Sequence, residues 1–261
     1  MNRIMRKLSD LGAIGFLRLA AGRACLYPQW CFFKLMHQDY RLKKEIKDGP
    51  DSANEERINQ ENIIRKMLSQ NKVQAFLEIG IGSFPHIERL KFMSEHGISY
   101  TGCDFQLVCD NHENIIEKQA DFKPDKIRFL PNQVGTYAWN LFELLKKNEQ
   151  FDVIYLDGHH TFYVDFPALM LAHYLLKEDG YLIIDDISWT LRFMKNQLMN
   201  SFSGWLFYRK IYNFSDYERA QQDIPHMDMM TRTILIGKEK YLKIEECSTS
   251  SWWVLKKSVL K

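Results

Sequence analysis

Five short apolar runs recur along the chain, at Val73 to Ile79, Ile98 to Cys103, Lys126 to Leu130, Phe151 to Leu156 and Tyr181 to Ile184, with helix-like segments between them. Strand and helix in alternation give βαβ units, hence a parallel sheet joined by right-handed crossovers. A near-continuous apolar strand such as Val153-Ile154-Tyr155-Leu156 suits a sheet covered on both faces. Helical character is expected over Thr136 to Lys147, Phe166 to Lys177 and Trp189 to Phe202. An earlier helix should run from a Ser52 N-cap, with Glu55 completing a capping box, to about Gln70. Leu206 to Phe214 and Thr231 to Gly237 read as two β-rich runs, an antiparallel pair closing one sheet edge. The expected fold is therefore α/β: a Rossmann-like, mostly parallel seven-stranded sheet with an antiparallel edge strand and helices on both faces. Residues 51–261 are expected to form this domain, with its alternating strand-and-helix part from roughly Gln70 to Lys240, and residues 1–50 an N-terminal helical extension.

Composition narrows the partners. With 261 residues, 46% hydrophobic and 26% charged, the chain can bury an ordinary globular core. A net charge of +2 gives no ground for a nucleic-acid partner. The cysteines Cys25, Cys31, Cys103, Cys109 and Cys247 are odd in number and form no CxxC pair, which fits a reduced, cytoplasmic protein without disulfides or a zinc knuckle. Arg18, Arg23, Lys34 and Pro28 interrupt the apolar N-terminal stretch, so it reads neither as a spanning helix nor as a secretory signal. On a helical wheel, Ile4, Met5, Leu8, Leu11, Phe16 and Leu19 oppose Arg3, Arg6, Lys7, Asp10 and Arg18. Such a helix suits packing on the domain or on a second subunit, or peripheral contact with an anionic membrane.

Chemistry concentrates at the strand ends. The first strand closes on Glu78-Ile79-Gly80-Ile81-Gly82, where glycines allow a tight turn and close approach of a ligand to the backbone. The dinucleotide fingerprint would need glycine at position 85, which is Pro85, and Glu78 would repel a pyrophosphate. An NAD-dependent oxidoreductase is disfavoured accordingly, and a carboxylate at position 78 suits a ligand with a cationic amino-acid part. The second strand ends Gly102-Cys103-Asp104, which places an acid where it can accept ribose hydroxyls.

This acid-x-Gly-x-Gly turn, followed by an acid after the second strand, resembles the class I S-adenosylmethionine-dependent methyltransferases. The resemblance implies that Glu78, Gly80 and Gly82 hold the methionine part and that Asp104 holds the ribose. Asn132 or Gln133 would stand near the adenine, where the family more often has an acid. Asp157 completes the implied cofactor-binding set.

The fourth strand ends Asp157-Gly158-His159-His160-Thr161-Phe162 and the fifth ends Asp185-Asp186. Three carboxylates converging at strand tips need a positive partner, and an oxygen-rich set suits Mg²⁺. The Asp-Gly-x-His-Thr-Phe segment with the Gly-Tyr-x-x-x-Asp-Asp strand looks like the methyltransferase branch acting on sugar and antibiotic hydroxyls. That likeness implies Asp157, Asp185 and Asp186 as metal ligands, His159 or His160 as the base, and a small-molecule or glycan acceptor. Ala168 departs from it, standing where many relatives carry an acid, with Asp165 one turn earlier.

For either histidine the competing role is a structural hydrogen bond at a strand end. His173 reads as packed. Trp205, Trp252 and Trp253 read as core, whereas Trp189 should stand near the site because it follows Asp186 by three residues. A metal-free methyltransferase and a membrane-associated scaffold remain competing readings. The acceptor and the oligomeric state, a homo-oligomer included, stay open.

Overall fold

The computed structural model describes residues 55–118, 122, 124–132, 137–198 and 214–258. The N-terminal amphipathic segment, Ser52, Gln133, Trp205 and the Leu206 to Asn213 run lie outside these residues. The elements in order are α1 (Glu55–Gln70), β1 (Ala75–Ile79), α2 (Ile87–Glu95), β2 (Ser99–Phe105), α3 (Gln106–Lys118), β3 (Ile127–Asn132), α4 (Ala138–Lys146) and β4 (Phe151–Leu156). There follow α5 (Phe162–Leu175), β5 (Leu176–Ile184), α6 (Leu191–Leu198), α7 (Arg219–Gln222), α8 (His226–Met230), β6 (Leu242–Lys243) and β7 (Trp253–Lys256).

The strands form one seven-stranded sheet in the order β3-β2-β1-β4-β5-β7-β6. β1 pairs in parallel with β2 and β4, β2 with β3, and β4 with β5. β7 runs antiparallel to both β5 and β6. This is the expected sheet, closed by an antiparallel edge.

Alternate residues of each strand feed two apolar layers. Leu77, Ile79, Ile154, Leu156, Leu182, Ile184 and Leu255 point to one face and pack with α4, α5 and α8. Phe76, Tyr100, Val153, Tyr155, Ile183 and Val254 point to the other, under α1 and α2. Two covered faces explain why these strands are apolar throughout rather than alternating.

The edge is built from residues other than those expected. Thr231–Ile236 is not a strand but a π-helical turn continuing α8. Its β-branched composition suggested a strand. Yet Met227, Met230, Thr231 and Leu235 are buried at i, i+3, i+4 and i+8, which is a helical stripe. β7 at Trp253–Lys256, beyond the expected end near Lys240, takes the place beside β5 instead. No described helix is long and apolar enough to cross a membrane.

Candidate active site

Sequence order along the sheet reverses between β1 and β4, where open α/β sheets leave a crevice outside the carboxyl ends of the strands. There the Asp157 N–H donates to the Ile79 carbonyl at 2.9 Å, and the Gly80 N–H donates to the Cys103 carbonyl at 2.9 Å. Gly80 has φ +81°, and a Cβ on it would lie 1.8 Å from the Asp157 carbonyl oxygen. Gly82 has φ +66°, but a Cβ there would meet nothing within 4 Å, because the residue faces open space. The two glycines therefore do different work. Gly80→Ala should cost several kcal/mol, being both clashing and left-handed, whereas Gly82→Ala should cost only about 1–2 kcal/mol for the left-handed backbone. Chemical denaturation of both variants checks this; equal losses would contradict it.

Asp104 ties that turn to the tip of β2. Its Oδ2 accepts the Ile81 N–H at 2.9 Å and its Oδ1 accepts the Phe105 N–H at 2.6 Å. Burial raises its pKa to about 6, against the lowering effect of backbone hydrogen bonds from Phe105, Ile81 and Gly82. His112 of α3 supports the loop from behind, with Nε2 2.9 Å from the Gly82 carbonyl. That carbonyl can only accept, so Nε2 carries the proton, and burial lowers the His112 pKa to about 4. Asn132 ends β3, in register with Phe105 of β2.

Glu78 is placed differently from the expectation. Its Oε2 accepts the Tyr100 hydroxyl at 2.7 Å, and Arg89 Nη1 stands 3.0 Å from its Oε1 as an ion pair without hydrogen-bond alignment. Glu78 is 4% exposed and Arg89 2%. Its charge is thus balanced from within the protein by Arg89 of α2. Arg89 also binds Glu61 of α1 and lies 5.2 Å over the Tyr155 ring. The two flanking carboxylates keep its guanidinium charged despite the burial that opposes it.

At the tip of β4 the structure brings together Asp157, His160 and Asp186, with one donor atom of each within 4.8 Å of the others. His160 Nε2 lies 3.5 Å from Asp157 Oδ1 and 3.4 Å from Asp186 Oδ2. Asp185, expected in this group, is outside it. Its Oδ2 accepts the Tyr155 hydroxyl at 2.5 Å and its Oδ1 accepts the Asp186 N–H at 2.8 Å. Both His160 (φ 57°) and Asp186 (φ 48°) have left-handed backbones. The Trp189 ring stands 5.3 Å from the His160 ring, as its spacing from Asp186 suggested.

Asp165 sets the conformation of the loop carrying His160. Fully buried, it accepts the Thr161 N–H at 2.7 Å, the His159 N–H at 3.0 Å and the Tyr137 hydroxyl. Gly158 is required here, since a Cβ on it would lie 2.1 Å from Asp165 Oδ1. His159 is exposed, with Nδ1 3.3 Å from Thr161 Oγ1. The start of α5 is satisfied from outside: the Phe162 N–H donates to His226 Nδ1 and the Tyr163 N–H to the Tyr217 hydroxyl, each at 3.1 Å. His173 packs against Tyr241, and Trp252 is fully buried.

Sequence reasoning missed Arg89, Tyr137, Tyr155 and His226. Only Arg89 left a signal, a charge on the Leu90–Met93 apolar stripe of its helix.

No protein-family model matches the sequence, and none of the curated proteins is significantly similar to it. Solved structures do match the fold. A putative caffeoyl-CoA O-methyltransferase from Staphylococcus aureus aligns at TM-score 0.51 and 14% identity, over 89% of this chain and 98% of that one. An O-methyltransferase from Bacillus cereus, solved with S-adenosylhomocysteine, aligns at TM-score 0.52 and 13% identity, over 88% and 96%. A Podospora anserina methyltransferase, also solved with that product bound, aligns at TM-score 0.51 and 12% identity, over 91% and 96%. The chain has the fold of the class I methyltransferases. Within that class, the solved structures it resembles include O-methyltransferases.

Proposed function

We propose that the protein is an S-adenosylmethionine-dependent O-methyltransferase that methylates a hydroxyl of a small molecule or glycan, assisted by a divalent cation. One observation carries this reading: the glycine turn of β1, tied to Asp104, lies at the tip of β1, which pairs directly with β4, and at the tip of β4 stands the Asp157–His160–Asp186 cluster. The residues fit both groups. Gly82 faces open space with its backbone exposed to a ligand, and Asp104 offers a carboxylate to ribose hydroxyls. The clustered donors suit a small dication. S-adenosylmethionine supplies a methyl group on a sulfonium, and a cation supplies charge that makes an acceptor hydroxyl easier to deprotonate.

Gly82 and Asp104 hold the nucleoside in register with the tip of β4. Asp157, His160 and Asp186 orient the acceptor oxygen for in-line attack, where alignment counts as much as activation. The exposed His159 imidazole takes the proton. Trp189 forms an apolar wall on one side of His160 and keeps water from that side.

Calorimetric titration with S-adenosylmethionine, using NAD⁺ as control, tests the reading. Micromolar binding is expected, lost in Asp104→Ala. The affinity should also fall as pH is lowered through about 6, because a protonated Asp104 accepts one hydroxyl fewer. The free fold responds in the opposite direction. A carboxylate whose folded pKa is raised makes the protein more stable as pH falls from about 6 to about 4, so weaker binding there is not unfolding. A folded protein that binds neither S-adenosylmethionine nor NAD⁺ would defeat the proposal.

A further inference from the structure

The all-oxygen cation site expected from the sequence is not the one the fold builds. Asp185 is held away by two hydrogen bonds, from the Tyr155 phenol and from the Asp186 backbone. Both of its oxygens are engaged in this way, and the Tyr155 phenol holds the carboxylate outside the cluster. In its place stands the His160 imidazole, 8% exposed, with Nε2 at 3.5 and 3.4 Å from the two carboxylates. We propose that this cluster is a site for a first-row transition-metal dication ligated by His160 Nε2, Asp157 and Asp186, rather than for Mg²⁺. The proposal deepens the methyltransferase reading and rests on it for the metal's use in catalysis, but not for its binding.

Two arguments support the assignment. The first is spacing. Donors about 2.0–2.2 Å from one ion at the tetrahedral angle are about 3.3–3.6 Å apart. The two nitrogen–oxygen separations already fall in that interval. The second is chemistry. Mg²⁺ prefers oxygen ligands and keeps much of its water, whereas an imidazole nitrogen favours Fe²⁺, Co²⁺, Ni²⁺ and Zn²⁺, whose affinities exceed that of Mn²⁺ in the usual order. The imidazole is also not adventitious. The Asp165 hydrogen bonds to the backbone on both sides of His160 fix the left-handed turn that aims it between the carboxylates.

It follows that His160 is a ligand, and that the proton-accepting role falls to His159 alone. A ligating imidazole has no lone pair left at Nε2 to act as a base.

The test uses the full chain, stripped with a chelator and titrated with Co²⁺ and separately with Mg²⁺. Co²⁺ should bind at least about 100-fold more tightly than Mg²⁺, a difference of about 2.7 kcal/mol. Proton NMR of the Co²⁺ protein should show a hyperfine-shifted, solvent-exchangeable imidazole N–H. The variant His160→Asn, whose side chain tolerates a left-handed backbone, should abolish that resonance and weaken Co²⁺ by about 10-fold or more. Asp185→Asn, which keeps one acceptor oxygen, should leave that resonance in place and cost less Co²⁺ affinity than His160→Asn. Equal Co²⁺ and Mg²⁺ affinities overturn the proposal. So does a cobalt spectrum unchanged by His160→Asn, or a Co²⁺ affinity that Asp185→Asn lowers as much as His160→Asn does. Circular dichroism shows that each variant is folded. Calorimetry with S-adenosylmethionine is run in parallel: a protein that binds Co²⁺ as described but not S-adenosylmethionine would end the methyltransferase reading and leave the metal site standing.

Discussion

Replacing Arg89 with methionine is expected to destabilise the fold by about 3–5 kcal/mol, the range for removing one member of a buried ion pair. The guanidinium is 2% exposed and stands between Glu78 of β1 and Glu61 of α1. Without it, Glu78 is a buried carboxylate opposed only by the Tyr100 hydroxyl. Most of the loss is the penalty of stranding that charge, so it should be partly recovered when the charge goes too. The double variant Arg89→Met/Glu78→Gln should therefore be more stable than Arg89→Met alone, with a coupling of about 1–3 kcal/mol in a double-mutant cycle. Urea denaturation of the four proteins measures this. Additive effects would mean that Arg89 contributes through packing on Tyr155 rather than through charge.

Asp165→Ala should follow closely, at about 3–4 kcal/mol, because three donors lose a buried acceptor at once. The donors are the backbone N–H groups of His159 and Thr161 and the hydroxyl of Tyr137. Unlike Arg89, Asp165 supports the loop of the site, so the same substitution should also weaken Co²⁺ binding by about 10-fold, as loss of outer-shell support does elsewhere. Asp165→Asn keeps one acceptor oxygen and should lose about half as much stability. If Asp165→Ala unfolds at the same urea concentration as the wild type, the loop is held by something other than this carboxylate.

Most of the sheet was legible because strand periodicity survives in local composition. Phe151 to Leu156 matched residue for residue, three of the other parallel strands were displaced by one or two residues at their ends, and β5 began five residues before Tyr181. The edge was misread for a local reason. By itself the segment Thr231 to Gly237 favours a strand through its isoleucines and threonines. Started at Met227, the same residues show a helical stripe. The strand that does close the edge, Trp253–Lys256, is only four residues long, and its buried Trp253, Val254 and Leu255 belong to both apolar layers.

The site divides in the same way. Its glycines, Asp104, Asp157, His160 and Asp186 could be named because they sit at strand ends, which the sheet gathers in one place. Which of Asp185 and Asp186 faces the crevice could not. That choice is made by Tyr155, whose hydroxyl reaches Asp185 across neighbouring strands, 30 residues away in sequence. The pairing of Glu78 with Arg89 was hidden for a similar reason, since it joins a strand to the following helix through the sheet's covered face.

His160 and Asp186 share a conformation that side-chain-bearing residues adopt at a cost of about 1–2 kcal/mol each. Glycine would relieve that strain at both positions. Selecting a saturation library at these two codons for heat resistance alone should therefore enrich glycine and erase the cluster while the sheet survives. Thermostability and the site pull in opposite directions at just these two backbone positions, so any laboratory evolution of this protein needs a selection for ligand binding as well as one for endurance.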